Sequence, residues 1–240
     1  MNQPHGTPLT YTIHWTETPP SYQGQWDSPV WQRAETAYIA HFHPQSSWHH
    51  PLTAVKVLYD DEQLYVFFRV ADRFVKAVSL EYQEPVYQDS CVEFFIRPRA
   101  FYQSEVSPAY QGYFNVEINC IGTMLVSYIE DWRRTDEGFA QYAPLPPESG
   151  KMITVFHSLS GQIVQEIESP VEWMIGYNVP FALFEGYLGP LDFGIGRPWR
   201  GNFYKCADRS SHPHWASWAP IGAELNFHQP KFFGRLEFGN

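Results

Sequence analysis

A chain of 240 residues with a hydrophobic share of 44% can bury a core of its own. Its net charge of −10, from 16 basic and 26 acidic side chains, leaves no basic stripe to neutralise phosphates, which argues against a nucleic-acid or anionic-membrane partner. No apolar run approaches the roughly 20 residues of a membrane-spanning helix, and residues 1–15 have neither the basic start nor the apolar stretch of a secretory signal. The expectation is a cytoplasmic protein, or a secreted one if a leader has been removed.

The 9 Trp, 15 Tyr and 18 Phe amount to 18% of the chain, and with 20 Pro and 16 Gly they favour strands joined by rigid turns. Residues 1–52 are polar and proline-dotted and read as an irregular extension, with one helical candidate at 30–39. Segments 54–59 (AVKVLY) and 64–70 (LYVFFRV) form a hairpin around the polar loop 60–63. A connection over 71–86 leads to a central strand, 87–97 (YQDSCVEFFIR), then a loop over 98–112. The strand 113–120 (YFNVEINC) turns at Gly122 into 124–129. The charged, proline-rich 131–150 reads as a loop; a domain boundary there would leave neither half a complete strand set. Later strands fall at 152–159, 173–179, 193–196, 202–206, 214–219 and 233–238, with a helical turn at 180–184 beginning at proline. About ten short strands with turn signals between them predict a single-domain, all-β antiparallel sandwich.

Three of these strands alternate with period two. Val92, Phe94 and Ile96 share one face of 87–97, with Asp89, Cys91, Glu93, Phe95 and Arg97 on the other. Phe114, Val116, Ile118 and Cys120 oppose Tyr113, Asn115, Glu117 and Asn119. Leu64, Val66, Phe68 and Val70 oppose Tyr65, Phe67 and Arg69. The second faces combine planar polar groups with rings, the equipment that stacks on a pyranose and forks onto its hydroxyls. Arg69, Glu93, Asn115, Glu117 and Asn119 supply the polar groups; Tyr65, Tyr87, Tyr113 and Trp199 are candidate rings. The competing reading is a solvated sheet face on which Arg69 and the glutamates form cross-strand ion pairs.

Two glutamates on neighbouring strands also suit a glycosidase, one as acid and the other as nucleophile or base. The histidine pairs 41/43, 49/50 and 212/214 lie beside prolines or in polar loops without a third spaced ligand, and read as turn residues rather than a metal site. Cys91, Cys120 and Cys206 lack paired spacing and read as buried free thiols. No phosphate-binding loop, dinucleotide fingerprint, zinc-protease motif or nucleophile elbow occurs.

Taken in order, AVKVLYDDEQLYVFFRVAD (54–72), VYQDSCVEFFIRP (86–98), YFNVEINCIGTM (113–124), WMIGYNVPFALF (173–184), WRGNFYKCADRSSHPHWASWAPI (199–221) and NFHQPKFFGRLEF (226–238) resemble the family 9 carbohydrate-binding modules. They are closer still to their stand-alone "family 9-like" relatives among the DOMON-like β-sandwiches. The resemblance implies binding of a mono- or oligosaccharide between two rings. It carries the rings onto Tyr87 and Phe227, both tryptophan in the family, and the hydroxyl-accepting glutamate onto Glu93. The family's arginine position is Glu117 here, with Arg69 as a candidate substitute guanidinium.

The expectation is therefore non-catalytic carbohydrate binding by Arg69, Tyr87, Glu93, Asn115, Glu117 and Phe227, with the protein itself in association with a glycoside hydrolase as a further option. No cofactor is expected; structural calcium is left open, although no loop of the EF-hand type is visible. The alternatives are a glycoside hydrolase, or an accessory part of one, acting through Glu93 and Glu117, and a structural sandwich whose polar face meets another protein.

Overall fold

The computed structural model describes residues 8–99, 112–136 and 138–240. In chain order the strands are β1 (Thr10–Trp15), β2 (Ala37–Tyr38), β3 (His41–Phe42), β4 (Leu52–Tyr59), β5 (Gln63–Asp72) and β6 (Val75–Ala77). There follow β7 (Cys91–Arg97), β8 (Tyr113–Asn119), β9 (Met124–Thr135), β10 (Gly138–Pro144), β11 (Thr154–His157), β12 (Ile163–Ile167) and β13 (Val171–Pro180). The last are β14 (Trp199–Cys206), β15 (Trp215–Ser217) and β16 (Gly234–Gly239). Two short helices, α1 (Pro147–Gly150) and α2 (Phe181–Leu188), complete the set. Among the described residues no helix is long and apolar enough to cross a membrane.

One sheet runs in the order β10-β9-β8-β7-β14-β16-β1-β4-β5-β13-β11 and curls so that its two halves face each other. The apolar faces read from the alternation line the space between. Val92, Phe94 and Ile96 on β7 and Phe114, Val116 and Ile118 on β8 share one core with Val55 and Val57 on β4 and Val66, Phe68 and Val70 on β5. Phe203 of β14 bridges the layers, 4.6 Å from Phe94 and 6.3 Å from Phe68 by ring centroid. The β4–β5 turn is fixed by Asp60, whose Oδ1 accepts from the backbone of Glu62 and Gln63 at 2.8 and 2.9 Å.

Most neighbours are antiparallel, as hairpins require, but β1 runs parallel to both β16 and β4. The first 52 residues are thus more than an irregular extension: β1 lies inside the sheet with Tyr11 and Ile13 buried. Two inward side chains and a partner more than 200 positions away leave too little local signal to find such a strand. The helical candidate at 30–39 reduces to a 3₁₀ turn, Trp31–Arg33, because Ala34 is already extended (φ −76°, ψ 137°). Residues 193–196 form a turn instead of a strand, with Gly194 and Gly196 at φ 111° and 77°. The helical turn after Pro180 continues to Leu188. The loop expected over 98–112 lies almost wholly outside the described residues.

The largest departure concerns 131–150. It holds the outer half of β9, all of β10 and α1. This hairpin overhangs the sheet edge with both faces largely exposed, so its sequence carries no period-two apolar signal. It forms one wall of the cleft described next.

Candidate functional site

The outward faces of β7, β8 and β14 form a floor ordered by strand register. Glu93 sits opposite Glu117 on β8 and opposite Tyr204 on β14. One row along, Phe95 faces Asn115, which faces Ser127 on β9. In the row beyond, Cys91 lies between Asn119 and Cys206, and Cys206 faces Trp215 on β15. Glu93, Glu117, Asn115 and Cys206 line a cleft of about 640 Å³, within the range of small-ligand sites.

Three segments build the walls. The 3₁₀ turn Val86–Gln88 brings in Tyr87, 38% exposed at the mouth, and is tied to the far side where Asp208 N donates to Tyr87 O at 3.2 Å. The overhanging β9–β10 hairpin contributes Arg134, Phe139 and Tyr142, with the Arg134 guanidinium 3.9 Å from the centre of the Phe139 ring. The segment before β16 contributes Asn226, Phe227 and His228. Phe227 is stacked on Tyr204, whose hydroxyl donates to the Phe227 carbonyl at 3.0 Å. Trp215 also lines the cleft and donates its Nε1–H to Asp208 at 2.6 Å.

The electrostatics of the floor follow from burial. Glu93 and Glu117 are 2% and 4% exposed. Burial raises Glu93 well above the ordinary carboxylate range, helped by the neighbouring Cys206 and Glu117. Burial likewise lifts Glu117 to about 7, against the Asn115 hydrogen bond that opposes the shift. Asn115 is held at its own end, its Oδ1 accepting from Ser127 N at 3.0 Å while Nδ2 donates to Glu117 Oε1 at 2.7 Å. The Cys206 thiol donates to Glu93 Oε1 at 3.0 Å. Glu93 Oε2 and Glu117 Oε2 are buried without any partner. Burial also lowers His228 to about 3, so the imidazole on the wall is neutral near pH 7.

The cleft gathers Tyr87, Glu93, Asn115, Glu117 and Phe227, but not Arg69. Arg69 lies on β5 in the opposite layer, donating to Glu172 at 2.8 Å beside a separate depression lined by Trp26 and Asp27. Alternation says which way a side chain points within its strand; it does not say to which layer the strand belongs. The ion-paired reading thus holds for Arg69, whereas the two glutamates are buried and have no cation. Of the other candidates, Tyr65 and Trp199 are packed in apolar clusters. Tyr113 is buried against His228, its hydroxyl 2.7 Å from Nδ1. Asn119 is spent on Ser79 O and Asp89. The three cysteines are free and buried. Cys91, Glu93 and Cys206 place their ligand atoms within 4.8 Å of one another, the one such group among the described residues, and no histidine belongs to it.

Arg134, Phe139, Tyr142, Asp208 and Trp215 were not legible as site residues.

The sequence profile of carbohydrate-binding family 9 matches residues 31–238. No curated protein matches the chain. Among solved structures the chain is similar to a protein from Bacteroides uniformis assigned a carbohydrate-binding role, with TM-score 0.77 and 24% identity over 97% of this chain and 100% of that one. It is also similar to a family 9 carbohydrate-binding module from Caldicellulosiruptor kristjanssonii. The complex with cellotriose gives TM-score 0.61 and 15% identity over 97% of this chain and 94% of that one. The complex with glucose gives 0.59 and 14%, over 95% and 96%.

Proposed function

The chain belongs to carbohydrate-binding family 9, and from that premise we propose that the cleft over β7 and β8 holds a mono- or oligosaccharide without turning it over. A pyranose lies between Tyr87 and the face of Phe227 that Tyr204 leaves free, and its hydroxyls donate to Glu93 and Glu117. Asn115 acts by holding Glu117 in place. Arg69 has no part in it.

The observation that carries this reading is the pair of partnerless buried oxygens, Glu93 Oε2 and Glu117 Oε2, on the floor of a ring-walled cleft. A buried acceptor without a donor costs about 1–3 kcal/mol, and a ligand rich in hydroxyls supplies the donors. Direct cross-strand neighbours such as Glu93 and Glu117 also have the close spacing of a retaining glycosidase's carboxyl pair, about 5 Å, so turnover is tested beside binding.

Affinity is expected at Kd of roughly micromolar to millimolar, because a small polar ligand buries little apolar surface. Calorimetric titration with glucose and cello-oligosaccharides tests the reading, with a reducing-sugar assay run alongside. Turnover lost in Glu93→Gln would replace binding by catalysis. Service to a glycoside hydrolase as a targeting partner belongs to the same proposal, and co-elution with such an enzyme is its test.

A further inference from the structure

Five acidic side chains are buried among the described residues: Asp72, Asp89, Glu93, Glu117 and Asp192. The chain compensates three of them. Asp72 meets His49 at 2.7 Å and Lys205 at 3.6 Å. Asp89 accepts from the backbone of Val78 and Ser79 and from the Asn119 amide, at 2.9–3.0 Å. Asp192 pairs with Arg99 and Arg197 at 2.9 and 3.0 Å.

Glu93 and Glu117 stand apart. Each has one oxygen capped by a neutral donor, the Cys206 thiol for Glu93 and the Asn115 amide for Glu117. Each has its other oxygen buried and unpartnered. They are direct cross-strand neighbours, a relation in which like charges repel. The arginine in the cleft lining, Arg134, is exposed and lies on the Phe139 ring, and it forms no ion pair with either glutamate.

A neutral hydroxyl satisfies the missing hydrogen bond but supplies no cation that would let the pair ionise. An ammonium group answers both, because it brings three N–H donors and a positive charge to two carboxylates at once. We propose that the ligand class is an amino sugar, a pyranose whose free, protonated amine reaches Glu93 Oε2 and Glu117 Oε2 while its ring lies between Tyr87 and Phe227. This rests on the carbohydrate reading of the cleft and narrows it. Acetylation of the amine removes the charge and leaves a single N–H, so the acetylated sugar is a poor fit.

A divalent cation on Cys91, Glu93 and Cys206 is the competing way to neutralise the floor. It needs both thiols ionised, whereas Cys206 spends its proton on Glu93. The amine is therefore the better match.

Calorimetric titration of the full chain with chitosan disaccharide, chitin disaccharide and cellobiose separates the outcomes. The free-amine sugar should bind about tenfold tighter than cellobiose or better, a difference of ~1.4 kcal/mol. That ratio should fall toward one in Glu117→Gln; Glu93→Gln serves the same purpose if the first variant does not fold. Cellobiose or the acetylated sugar binding as tightly as the amine would overturn the amino-sugar assignment and leave the carbohydrate reading standing. Failure of all three sugars to bind removes both. Zinc retained stoichiometrically through dialysis against a chelator, with thiolate charge-transfer bands on cobalt substitution, would also overturn it by giving the pair to a metal.

Discussion

The ring of Phe227 lies flat on that of Tyr204, with centroids 4.1 Å apart and planes 12° from parallel. Tyr204 is fully buried on β14, so it serves as a fixed backing plate for a ring carried on an irregular segment. The arrangement leaves Phe227 one face for a ligand.

Phe227→Ala should therefore weaken sugar binding with little effect on folding. Losing one aromatic face costs about 0.5–1.5 kcal/mol beyond the area it buries, or roughly twofold to twelvefold in Kd. Calorimetry gives the affinity and a thermal melt the stability; unchanged titration curves would remove Phe227 from the site.

The Glu93–Glu117 pair makes stability depend on pH in a definite direction. Glu117 has an ordinary value of 4.5 and is held at about 7 in the folded chain, chiefly by burial. Between those values the unfolded chain has released a proton that the native chain retains, so this residue costs progressively more stability as pH rises through that window. Glu117→Gln abolishes the cost and also relieves Glu93. The variant should melt close to the parent below about pH 4.5 and above it at pH 8, by a few degrees. A melting difference independent of pH would show that the carboxyl is not shielded as described.

Between Tyr204 and Cys206 on β14, but on the opposite face, Lys205 is sealed inside the protein. Its ammonium donates to Cys206 O at 2.9 Å and to His214 Nε2 at 2.8 Å, and lies 3.6 Å from Asp72 Oδ2. Burial alone would raise the Asp72 carboxyl, but Lys205 and the His49 hydrogen bond hold it below the ordinary range. Asp72→Asn strands the ammonium and should cost on the order of 3–5 kcal/mol. Asp72→Asn combined with Lys205→Met should recover much of that loss in urea unfolding. Additive losses would mean the two groups do not act as a pair.

These residues also mark how far sequence reading reaches. Alternation in 113–120 and 87–97 placed Glu117 and Glu93 on one side and the core on the other, because burial of one sheet face imposes a period of two, although the strand itself begins only at Cys91. The same rule could not assign β5, and hence Arg69, to the layer away from the cleft, since layer membership depends on pairings between distant segments. It was silent on the β9–β10 hairpin, which buries neither face. Asp208 and Trp215 reach the cleft through a loop and a three-residue strand with no periodic signal. Family resemblance supplied what periodicity lacked at Tyr87 and Phe227, both of which lie outside regular strands.

Register itself can be tested at Val116, on β8 between Asn115 and Glu117. Its side chain belongs to the core between the sheet halves, with 1% exposure, while its neighbours point into the cleft. Val116→Asp places a carboxylate where no donor or cation is available, a cost beyond the few kcal/mol that a buried polar group without a partner exacts. Glu117 survives in a buried setting one residue along because its face carries Asn115 and borders the cleft. The variant should be insoluble or lack a cooperative melt, whereas Val116→Ala should lose about 1–3 kcal/mol and remain folded. A soluble, cooperatively melting Val116→Asp would put β8 one residue out of register, and Glu117 would then face the core instead of the cleft.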